Sequence, residues 1–463
     1  MKFFNFYDNF LIENKQFPNQ TRNHWGKGGK MRRNQRGYRK LKTFNQEKFD
    51  KKFINYLSIS IIILFVLLLG VAIFYHVTHF IEHQQFLEEV NQSLEQASKE
   101  TSASLEENNR KKEVEETDTT FTMTAIGDIM CHNTQYFDAY QKETDTYDFS
   151  YVFENINRYI KTSDIAIGNL ETSFAGKEKG YSNYPTFNSP DELAYDLKKL
   201  GLDVLSTAGN HCLDMGFDGL SRTIDVLDDA DISHLGTYQT QEERDNILFK
   251  YVKGIKIAFI NYTYGTNGIP VPSDKKYCVN LIDKDLIKSD IENAKTGEAD
   301  IIVACMHWGT EYKTTANKEQ QELADFLFQN GVDIILGNHP HVLEPMEKRT
   351  VTLEDGTQKD GFIIFALGNF ICDQNTENTR NSIILNLKIT KHIDGKITID
   401  HANYIPIYMD KMSTNELRKM KLLDIEQVIY NYEVGIDSSI GQKKYDDLKI
   451  QLEKIKKIVG PEF

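Results

Sequence analysis

The chain has 463 residues and a mass of 53.5 kDa, which is more than a single compact domain normally needs. Its five cysteines are scattered and contain no Cys-x-x-Cys pair, which excludes a zinc knuckle and a disulfide framework. The net charge is −14, and it is unevenly spread along the chain.

The N-terminal segment differs in charge from everything that follows it. Residues 1–52 contain 14 Lys and Arg against 4 Asp and Glu, a charge of +10, which leaves −24 for the remainder. The next run, Phe53–Tyr75, reads FINYLSISIIILFVLLLGVAIFY, carries no charge and would span roughly 30 Å or more as a helix. No clear small-x-small cleavage site follows, so an uncleaved signal anchor is favoured over a cleaved signal peptide and over a buried core helix.

The charge distribution also predicts a topology. Residues 1–52 are predicted to be a disordered tail. Their excess of Lys and Arg predicts that this tail lies in the cytoplasm and that the large C-terminal part lies outside the cell. The tail could bind nucleic acid, but a topology signal with attraction to anionic lipid is the favoured interpretation, and no nucleic-acid partner is predicted. The sequence therefore predicts a single-pass protein of the cell membrane, anchored through Phe53–Tyr75.

The rest of the chain divides into three parts. Residues 76–120 are polar and lack Gly and Pro, which predicts a helical or partly disordered stalk or linker and leaves a short coiled coil open. Residues 121–409 alternate short β-rich runs with helical segments, whereas residues 410–463 are charged and predict a helical extension.

The central part, residues 121–409, predicts an α/β domain. Its apolar runs are FTMTAIGD, SDIAIGNLE, DVLSTAGNH, IKIAFINY, DIIVACMHWG, VDIILGNHPHV and FIIFALGNF. The helical segments between them include Asp191–Leu200, Gly219–Ala230 and Lys318–Asn330. Near-continuous apolar strands with intervening helices indicate sheets that are covered by helices on their faces. In such folds the functional site lies where the strands end.

Residues that could bind a metal follow five of these runs. They are Asp128, Glu171, Asn210 with His211 and Asp214, His307, and the pair His339 and His341. Taken singly, an Asp after Gly is more often a turn or a helix cap, and a strand-end His is more often a hydrogen-bonded surface residue. Ligand-type residues at the ends of five strands in one domain nevertheless indicate a metal site. Nitrogen and oxygen ligands without a thiolate motif favour Zn, Mn or Fe.

The most informative of these clusters is the hexapeptide GNHPHV, Gly337–Val342. In an extended segment two histidines two residues apart point the same way, so both can reach one metal cluster. Pro340 between them fixes the backbone. The hexapeptide predicts a metal-ligand loop at the end of a buried strand, and with the other clusters it predicts a binuclear site.

The order of these motifs resembles the CapA family, named for poly-γ-glutamate capsule synthesis. The motifs are GD, NLE, GNH with a following Asp, HWG-x-EY, HPHV and LGNF, and they extend over roughly Phe121–Met409. That family is similar to the calcineurin-like metallophosphoesterases. The resemblance therefore implies a four-layered α/β/β/α sandwich and two divalent metal ions.

The resemblance also implies roles for single residues. The implied metal ligands are Asp128, Glu171, Asn210, His307, His339 and His341. Glu171 would bridge the two ions, and Asn210 would bind through its amide oxygen. His211 would face the substrate as a general acid or anion stabiliser, and Asp214 could orient it.

The chain departs from the wider phosphoesterase pattern in two respects. That superfamily opens with Asp-x-His, whereas Asp128 is followed by Ile129 and Met130, and His132 could replace the missing histidine. The bridging residue is Glu rather than Asp. Both departures leave a single or weakly held metal open.

Two classes of function are predicted. In the first, the protein is a metal-dependent hydrolase or transferase that acts in capsule synthesis or attachment. Its substrate would be an anionic cell-envelope polymer or a phosphate ester, and two ions would activate a bridging water. In the second, it is a non-catalytic polymer-binding or scaffold component of a membrane complex with other polymer-synthesis proteins. The ligand set favours the first class, and the altered first motif permits the second.

Overall fold

The computed structural model describes residues 64, 66–71, 73–80, 85, 88, 117–411, 420–436 and 440–463. The chain divides into two compact units, Met1–Lys112 and Glu113–Phe463. In the first unit the described residues are helical, and apolar side chains such as Leu67 and Phe74 are exposed. The tail, most of the proposed anchor and most of the stalk lie outside the described residues. Within the part that is described, no helix is long and apolar enough to cross a membrane.

The second unit contains all the strands of the described chain. They are β1 (Thr119–Ile129), β2 (Tyr140–Gln141), β3 (Thr146–Tyr147), β4 (Ile165–Leu170), β5 (Val204–Ser206), β6 (Ser233–Leu235), β7 (Leu248–Val252), β8 (Ile255–Thr263), β9 (Ile301–His307), β10 (Ile334–Asn338), β11 (Met346–Thr352), β12 (Gln358–Ile364), β13 (Asn369–Ile371), β14 (Asn381–Lys391), β15 (Ile397–Lys411) and β16 (Met420–Asp424).

Helices alternate with these strands in the first two thirds of the unit and follow them at its end. They are α1 (Asn133–Ala139), α2 (Asn157–Lys161), α3 (Glu192–Leu200), α4 (Gly216–Asp229), α5 (Gln241–Asp245), α6 (Lys284–Thr296), α7 (Lys318–Asn330), α8 (Ile425–Glu433) and α9 (Gln442–Val459). Short 3-10 turns occur at Ser150–Phe153, Lys177–Lys179 and Lys276–Cys278.

Helix α7 shows how local sequence sets the bounds of an element. Asn317 precedes it and accepts a hydrogen bond from the backbone N–H of Gln320, while the Gln320 side chain accepts from the Asn317 N–H. This reciprocal cap satisfies donors that the first helical turn leaves free. Gly331 ends the helix with φ +117°, a conformation that glycine adopts without steric cost. The predicted helix over Lys318–Asn330 therefore has the bounds that its caps specify.

Two large sheets dominate the second unit, and the prediction of a mixed α/β fold is confirmed. The first sheet has the strand order β16-β15-β14-β1-β4-β5-β6, with β13 also paired to β1. The second has the order β11-β12-β10-β9-β8-β7, and β2 pairs with β3 in a small ribbon. The neighbours β1, β4, β5 and β6 run parallel, as do β8, β9, β10 and β12. Each large sheet therefore brings several carboxyl-terminal strand ends to one edge.

The apolar side chains form three main clusters. The largest contains residues of both large sheets, among them Met123 and Ile167 from the first sheet and Phe259 and Val303 from the second. The other two clusters combine the opposite sheet faces with helices. Helices α3 and α4 contribute Leu193, Leu197, Val226 and Leu227 to one of them, and α6 and α7 contribute Ile287, Ile291, Leu327 and Phe328 to the other. The sheets thus face each other through a shared core and carry helices on their outer faces.

The segment predicted as a C-terminal helical extension, residues 410–463, contains a strand as well as two helices. Strand β16 pairs antiparallel with the end of β15 and extends the first sheet. At the last residue, the backbone N–H of Ala402 donates to the carbonyl of Phe463 at 2.7 Å. Leu448 and Ile455 of α9 belong to the large shared core cluster. This segment therefore contributes to the same core as the strands that precede it.

Two glycines allow backbone segments to approach each other where the strands end. A Cβ on Gly127 would lie 1.9 Å from the carbonyl oxygen of Gly368, and one on Gly337 would lie 1.8 Å from that of Phe365. The neighbouring Asp128 N–H donates to that Gly368 oxygen at 2.9 Å. Any larger residue at either position would separate these segments.

Candidate metal centre

The eight residues predicted for the site are brought to one place from the ends of both large sheets. The first sheet supplies Asp128 from β1, Glu171 directly after β4, and Asn210, His211 and Asp214 after β5. The second sheet supplies His307 as the last residue of β9 and the pair His339 and His341 directly after β10. The side chains of all eight are almost completely shielded from solvent. Because consecutive parallel strands end at the same edge of a sheet, residues far apart in sequence become neighbours here.

Glu171 lies at the middle of the cluster. Its Oε1 is 3.6 Å from Nε2 of His307 and 3.8 Å from Nε2 of His341. Two groups of described residues could each hold a metal ion, with ligand atoms within 4.8 Å of one another. One group is Glu171, His339 and His341, and the other is Asp128, Glu171 and His307. Glu171 belongs to both groups, which is the position that a bridging ligand requires.

The backbone of the histidine loop, His339–His341, is not extended. The prediction that an extended segment makes its two histidines point the same way is therefore wrong. His339 has φ +99° and His341 has φ +61°, both in the left-handed region. The loop bends after Asn338, and the ring centroids of the two histidines come to lie 5.9 Å apart. The backbone N–H of His339 also points at Asp128 Oδ2 over 3.4 Å. Left-handed backbone at non-glycine residues is unfavourable, and two of the candidate ligands adopt it.

Asn210 and His307 face each other at the centre. Oδ1 of Asn210 lies 2.8 Å from Nε2 of His307, and the Asn210 amide nitrogen donates to Oδ1 of Asn267 at 3.1 Å. The amide oxygen is thus directed inward and the amide nitrogen outward. This is the orientation that ligation through oxygen would need.

The polar atoms of the centre fit a bound cation. Both carboxylate oxygens of Glu171, and Nδ1 of His339, are buried without a hydrogen-bond partner among the described residues. Buried polar atoms are ordinarily paired, because an unpaired one loses its hydration without compensation. The carboxylate, imidazole and amide donors present are those that Mn, Zn and Fe accept in proteins.

The electrostatics of the centre keep two imidazoles neutral and leave the carboxylate of Glu171 in need of a positive partner. Burial and the negative charge of Asp128 raise the pKa of Glu171 well above its ordinary range. Burial, aided by the neighbouring histidines, lowers the pKa of His307, and it lowers the pKa of His339 to about 3. The imidazoles are therefore held neutral, with lone pairs available for ligation. A divalent cation would offset the repulsion between the two carboxylates.

His211 and Asp214 form a hydrogen-bonded pair beside this centre. Nδ1 of His211 is 2.8 Å from Oδ2 of Asp214, which also accepts the backbone N–H of Phe187 at 2.6 Å. The ring of Phe187 packs edge-on against His211 with centroids 4.7 Å apart. The side chain of Asn267 lies 3.3 Å from Nε2 of His211. The imidazole is therefore held by a carboxylate on one nitrogen and an amide near the other, an arrangement suited to proton transfer.

The first motif places Ile129 and Met130 directly after Asp128. Met130 is buried in a small apolar cluster with Phe187 and Cys372. Among the described residues, His132 belongs to neither of the two groups that could hold a metal ion, which are called metal-type groups from here on. Its Nδ1 accepts a hydrogen bond from the backbone N–H of Asp373 at 3.2 Å. Burial lowers the pKa of His132 to about 4. His132 is therefore a neutral, hydrogen-bonded neighbour of the centre.

Two tyrosines connect the buried centre with solvent. The ring of Tyr264 lies 4.5 Å from that of His339, and the ring of Tyr312 lies 6.0 Å from that of His341. These two side chains are 49% and 41% exposed, whereas the histidines beneath them are buried. A substrate that reaches the centre on this side would contact both rings.

Sequence reasoning missed two buried asparagines that contact the candidate ligands, Asn169 and Asn369. Asn169 donates to Asp128 Oδ1 at 2.9 Å, and Oδ1 of Asn369 lies 3.2 Å from Nδ1 of His341. A signal for them exists in the sequence. The dipeptide Gly-Asn occurs near the end of β4 at residues 168–169, after β5 at 209–210, at the end of β10 at 337–338 and at the start of β13 at 368–369.

Comparison with known proteins gives consistent matches along the chain. The family model "Bacterial capsule synthesis protein PGA_cap" matches residues 122–374, which is more than half of the chain. The capsule biosynthesis protein CapA of Bacillus anthracis is 29% identical over 355 residues, or 73% of this chain and 80% of that protein. The PGA biosynthesis protein CapA of Bacillus subtilis (strain 168) is 28% identical over 296 residues, or 62% of this chain and 74% of that protein.

Solved structures give looser matches. The NAD nucleotidase of Haemophilus influenzae has a TM-score of 0.42 and 14% identity, with 74% of this chain and 61% of that chain covered. The 5'-nucleotidase precursor of Thermus thermophilus has a TM-score of 0.37 and 15% identity, with 69% and 59% covered. This chain thus spans less than two thirds of either nucleotidase. At these scores the likeness carries no conclusion about this chain.

Proposed function

We propose, on the premise that this chain belongs to the PGA_cap family of bacterial capsule synthesis proteins, that it acts in the synthesis or attachment of a poly-γ-glutamate-type capsule or a related cell-envelope polymer. Its relatives in two Bacillus species carry names that refer to capsule or PGA biosynthesis. The chemical part of the proposal is a metal-dependent hydrolase or transferase that uses the cluster around Glu171.

The observation that carries the chemical part is the environment of Glu171. Its carboxylate is fully buried, has no hydrogen-bond partner among the described residues and belongs to both metal-type groups. A buried carboxylate next to Asp128 is costly unless a cation compensates it. Two divalent ions, Mn, Zn or Fe, are the cofactors we propose, with Glu171 as the ligand they share.

The proposed ligands come from both sheets. They are Asp128, Glu171, Asn210, His307, His339 and His341. Divalent ions held there would lower the pKa of a bound water and polarise a phosphoryl or carbonyl oxygen of the substrate. Burial keeps His307 and His339 neutral, and Asn210 presents its amide oxygen.

The proposed catalytic residues beside the metal ligands are His211 and Asp214. The contact of 2.8 Å between Nδ1 of His211 and Asp214 leaves Nε2 as the nitrogen that can pass a proton to a leaving group. Asp214 fixes the ring and stabilises its charged form. Tyr264 and Tyr312 stand where the substrate would enter, and their rings offer contacts to the chain of a polymer.

The architecture and location that go with this function are also proposals. The two facing sheets and their outer helices support a four-layered α/β/β/α sandwich of the metallophosphoesterase type over residues 121–409. The uncharged run Phe53–Tyr75 and the basic segment before it support a signal anchor with the tail in the cytoplasm. Residues 76–120 would then hold the enzyme domain outside the cell, where capsule polymer is assembled with other membrane proteins. Protease added to intact cells should remove this domain, and its survival would refute the topology.

The test of the chemical proposal uses the full-length chain in detergent. Metal content is measured for the wild type, for His339→Ala and for His401→Ala, a control at an exposed histidine. The same samples are assayed on bis(p-nitrophenyl) phosphate and on poly-γ-glutamate, whose chain length is followed by gel filtration. We expect metal and turnover in the wild type and in His401→Ala, and the loss of both in His339→Ala.

One observation favours the second candidate function, a non-catalytic polymer-binding or scaffold component. Met130 occupies an apolar cluster at the position where the resemblance to the metallophosphoesterases implies a histidine, so one of the two proposed ions would have one ligand fewer. Metal without turnover on either substrate would support this scaffold role. Absence of metal after reconstitution would refute the metal centre itself.

A further inference from the structure

Two of the four Gly-Asn dipeptides at strand ends place an asparagine beside Asp128. Strand β1 lies between β4 and β13 and runs parallel to both, and in this register Asp128 is opposite Asn169 on one side and Asn369 on the other. All three side chains are buried. A carboxylate is thus flanked across three adjacent strands by two amides, which have no assigned role.

Asn169 makes contacts that fix the direction of the Asp128 carboxylate. Its amide nitrogen donates to Oδ1 of Asp128 at 2.9 Å and lies 3.4 Å from Nδ1 of His307. Its own oxygen accepts the hydroxyl of Ser206 at 2.9 Å. Ser206 therefore sets the orientation of the amide, and the amide occupies one oxygen of the carboxylate. The other oxygen, Oδ2, remains on the side of His341, at 3.3 Å from its Nδ1.

Asn369 holds His341 at two points. Its Oδ1 is 3.2 Å from Nδ1 of the imidazole, and its amide nitrogen donates to the backbone carbonyl of the same histidine at 3.1 Å. That nitrogen also lies 3.0 Å from the carbonyl of Thr379 and 3.1 Å from Oε1 of Gln374. Because acceptors surround the nitrogen, the oxygen of the amide must face the ring. A neutral His341 that donates from Nδ1 has its lone pair on Nε2, the nitrogen that faces Glu171 over 3.8 Å.

The second contact of Asn369 bears on the backbone of the loop. His341 has φ +61°, a conformation that residues other than glycine adopt rarely. The hydrogen bond from Asn369 to its carbonyl compensates part of that cost and holds the bend that brings both histidines to the centre. One asparagine thus bears on both the tautomer and the backbone conformation of His341, and Oδ2 of Asp128, at 3.3 Å, is a second acceptor for the same Nδ1.

We propose that Asn169 and Asn369 are positioning residues of the centre: Asn169 directs the carboxylate of Asp128, and Asn369 sets the tautomer and the backbone of His341. The inference rests on the proposed function, because it takes Asp128 and His341 to be metal ligands. Partners that orient ligands in this way contribute roughly 10–100-fold to metal affinity.

The test compares four variants of the full-length chain in detergent, with Mn²⁺ as the probe. They are Asn169→Ala, Asn369→Ala, Asn369→Asp and the control Asn280→Ala. Asn280 is also a buried asparagine, but its amide contacts the backbone of Asn261 and the hydroxyl of Tyr238, away from the ligands. We expect the Kd for Mn²⁺ to rise roughly 10–100-fold in Asn169→Ala and Asn369→Ala and to stay at the wild-type value in Asn280→Ala.

A second measurement separates positioning from general loss of stability. In the metal-free protein, the tautomer of His341 is read from two-bond ¹H–¹⁵N spectra of ¹⁵N-histidine-labelled samples. The wild type should carry the proton on Nδ1, and Asn369→Asp should keep it there because both acceptors remain. Asn369→Ala should lower the fraction of His341 protonated on Nδ1, because that nitrogen loses one of two acceptors and keeps Oδ2 of Asp128 at 3.3 Å. An unchanged tautomer in Asn369→Ala, or an unchanged Kd in both alanine variants, would overturn the inference. If the wild type bound no Mn²⁺, the metal centre itself would be refuted. The tautomer measurement on Asn369→Ala needs no metal, so it would still decide whether Asn369 orients His341.

Discussion

The substitution Glu171→Gln should affect the metal-free and the metal-loaded protein in opposite directions. In the metal-free protein the Glu171 carboxylate is buried, accepts no hydrogen bond from an N–H donor of the described residues and lies within hydrogen-bonding range of the Asp128 carboxyl group, whose charge helps to raise its pKa. Because the pKa of Glu171 is higher in the folded than in the unfolded protein, ionising this carboxyl group is less favourable in the folded state. The free energy of unfolding therefore falls as pH rises. Glutamine has nearly the same shape, cannot ionise and can donate to Asp128. The variant should therefore unfold less readily than the wild type in EDTA.

The magnitude follows from the cost of an uncompensated buried polar group. Such a group costs about 1–3 kcal/mol, so the free energy of unfolding in EDTA at pH 8 should increase by about that amount in Glu171→Gln. In the wild type, Mn²⁺ at 100 times its Kd should add about 2.7 kcal/mol per ion. The variant lacks the shared ligand and should gain almost nothing. The order of stability should thus reverse between EDTA and Mn²⁺.

The assay is urea unfolding of the full-length chain in detergent, followed by tryptophan fluorescence. A Trp25→Phe background leaves Trp308, which is buried near the centre, as the single reporter. Glu354→Gln, at an exposed glutamate, serves as the control and should stay within about 0.5 kcal/mol of the wild type in both buffers. Two results would refute the reasoning: a variant less stable than the wild type in EDTA, or a variant that Mn²⁺ still stabilises.

Three further predictions concern the surroundings of the centre, and urea midpoints check each of them. Burial raises the pKa of Glu344 from 4.5 to about 7, so the stability of the wild type should fall as pH rises from about 4.5 to about 7. Glu344→Gln should remove this fall, which is worth about 3 kcal/mol at pH 8, and an unchanged pH profile in the variant would contradict the prediction. Arg244 forms a buried ion pair with Asp290 at 2.7 Å, so Arg244→Met should lower the free energy of unfolding by about 3–5 kcal/mol. The double variant Arg244→Met with Asp290→Leu should lose less, because no buried charge is left unpaired, and equal losses would contradict the pairing. Gly337→Ala puts a Cβ against the oxygen of Phe365 and should cost at least about 1–3 kcal/mol; a neutral result would show that the segments can separate.

The β-rich runs and the ligand types were readable from the sequence because they depend on local pattern. A continuous apolar run such as that of β9 predicts a strand buried on both faces, and polar residues directly after it predict a site at the sheet edge. The segment Lys318–Asn330 is predicted as a helix from its local pattern, and helix α7 has those bounds. The order of the motifs was enough to identify the family, which the match over residues 122–374 confirms.

The shape of the histidine loop was not readable in the same way. The spacing of His339 and His341 predicts convergence through an extended strand, yet both residues are left-handed. The carbonyl of His341 accepts a hydrogen bond from Asn369, which lies 28 residues away in sequence and is placed there by the pairing of β13 with β1. No periodicity within the hexapeptide itself contains this information.

The sequence by itself indicated the α/β class and the family, and it supplied the residues that we propose to bind metal, because apolar patterns, motif order and side-chain chemistry are local properties. The tertiary structure alone showed the distances that put Glu171, already implied by the resemblance as the shared ligand, in both groups, and the two asparagines that flank Asp128. These relations depend on strand order and register in two sheets that face each other, and register is set by packing between segments distant in sequence.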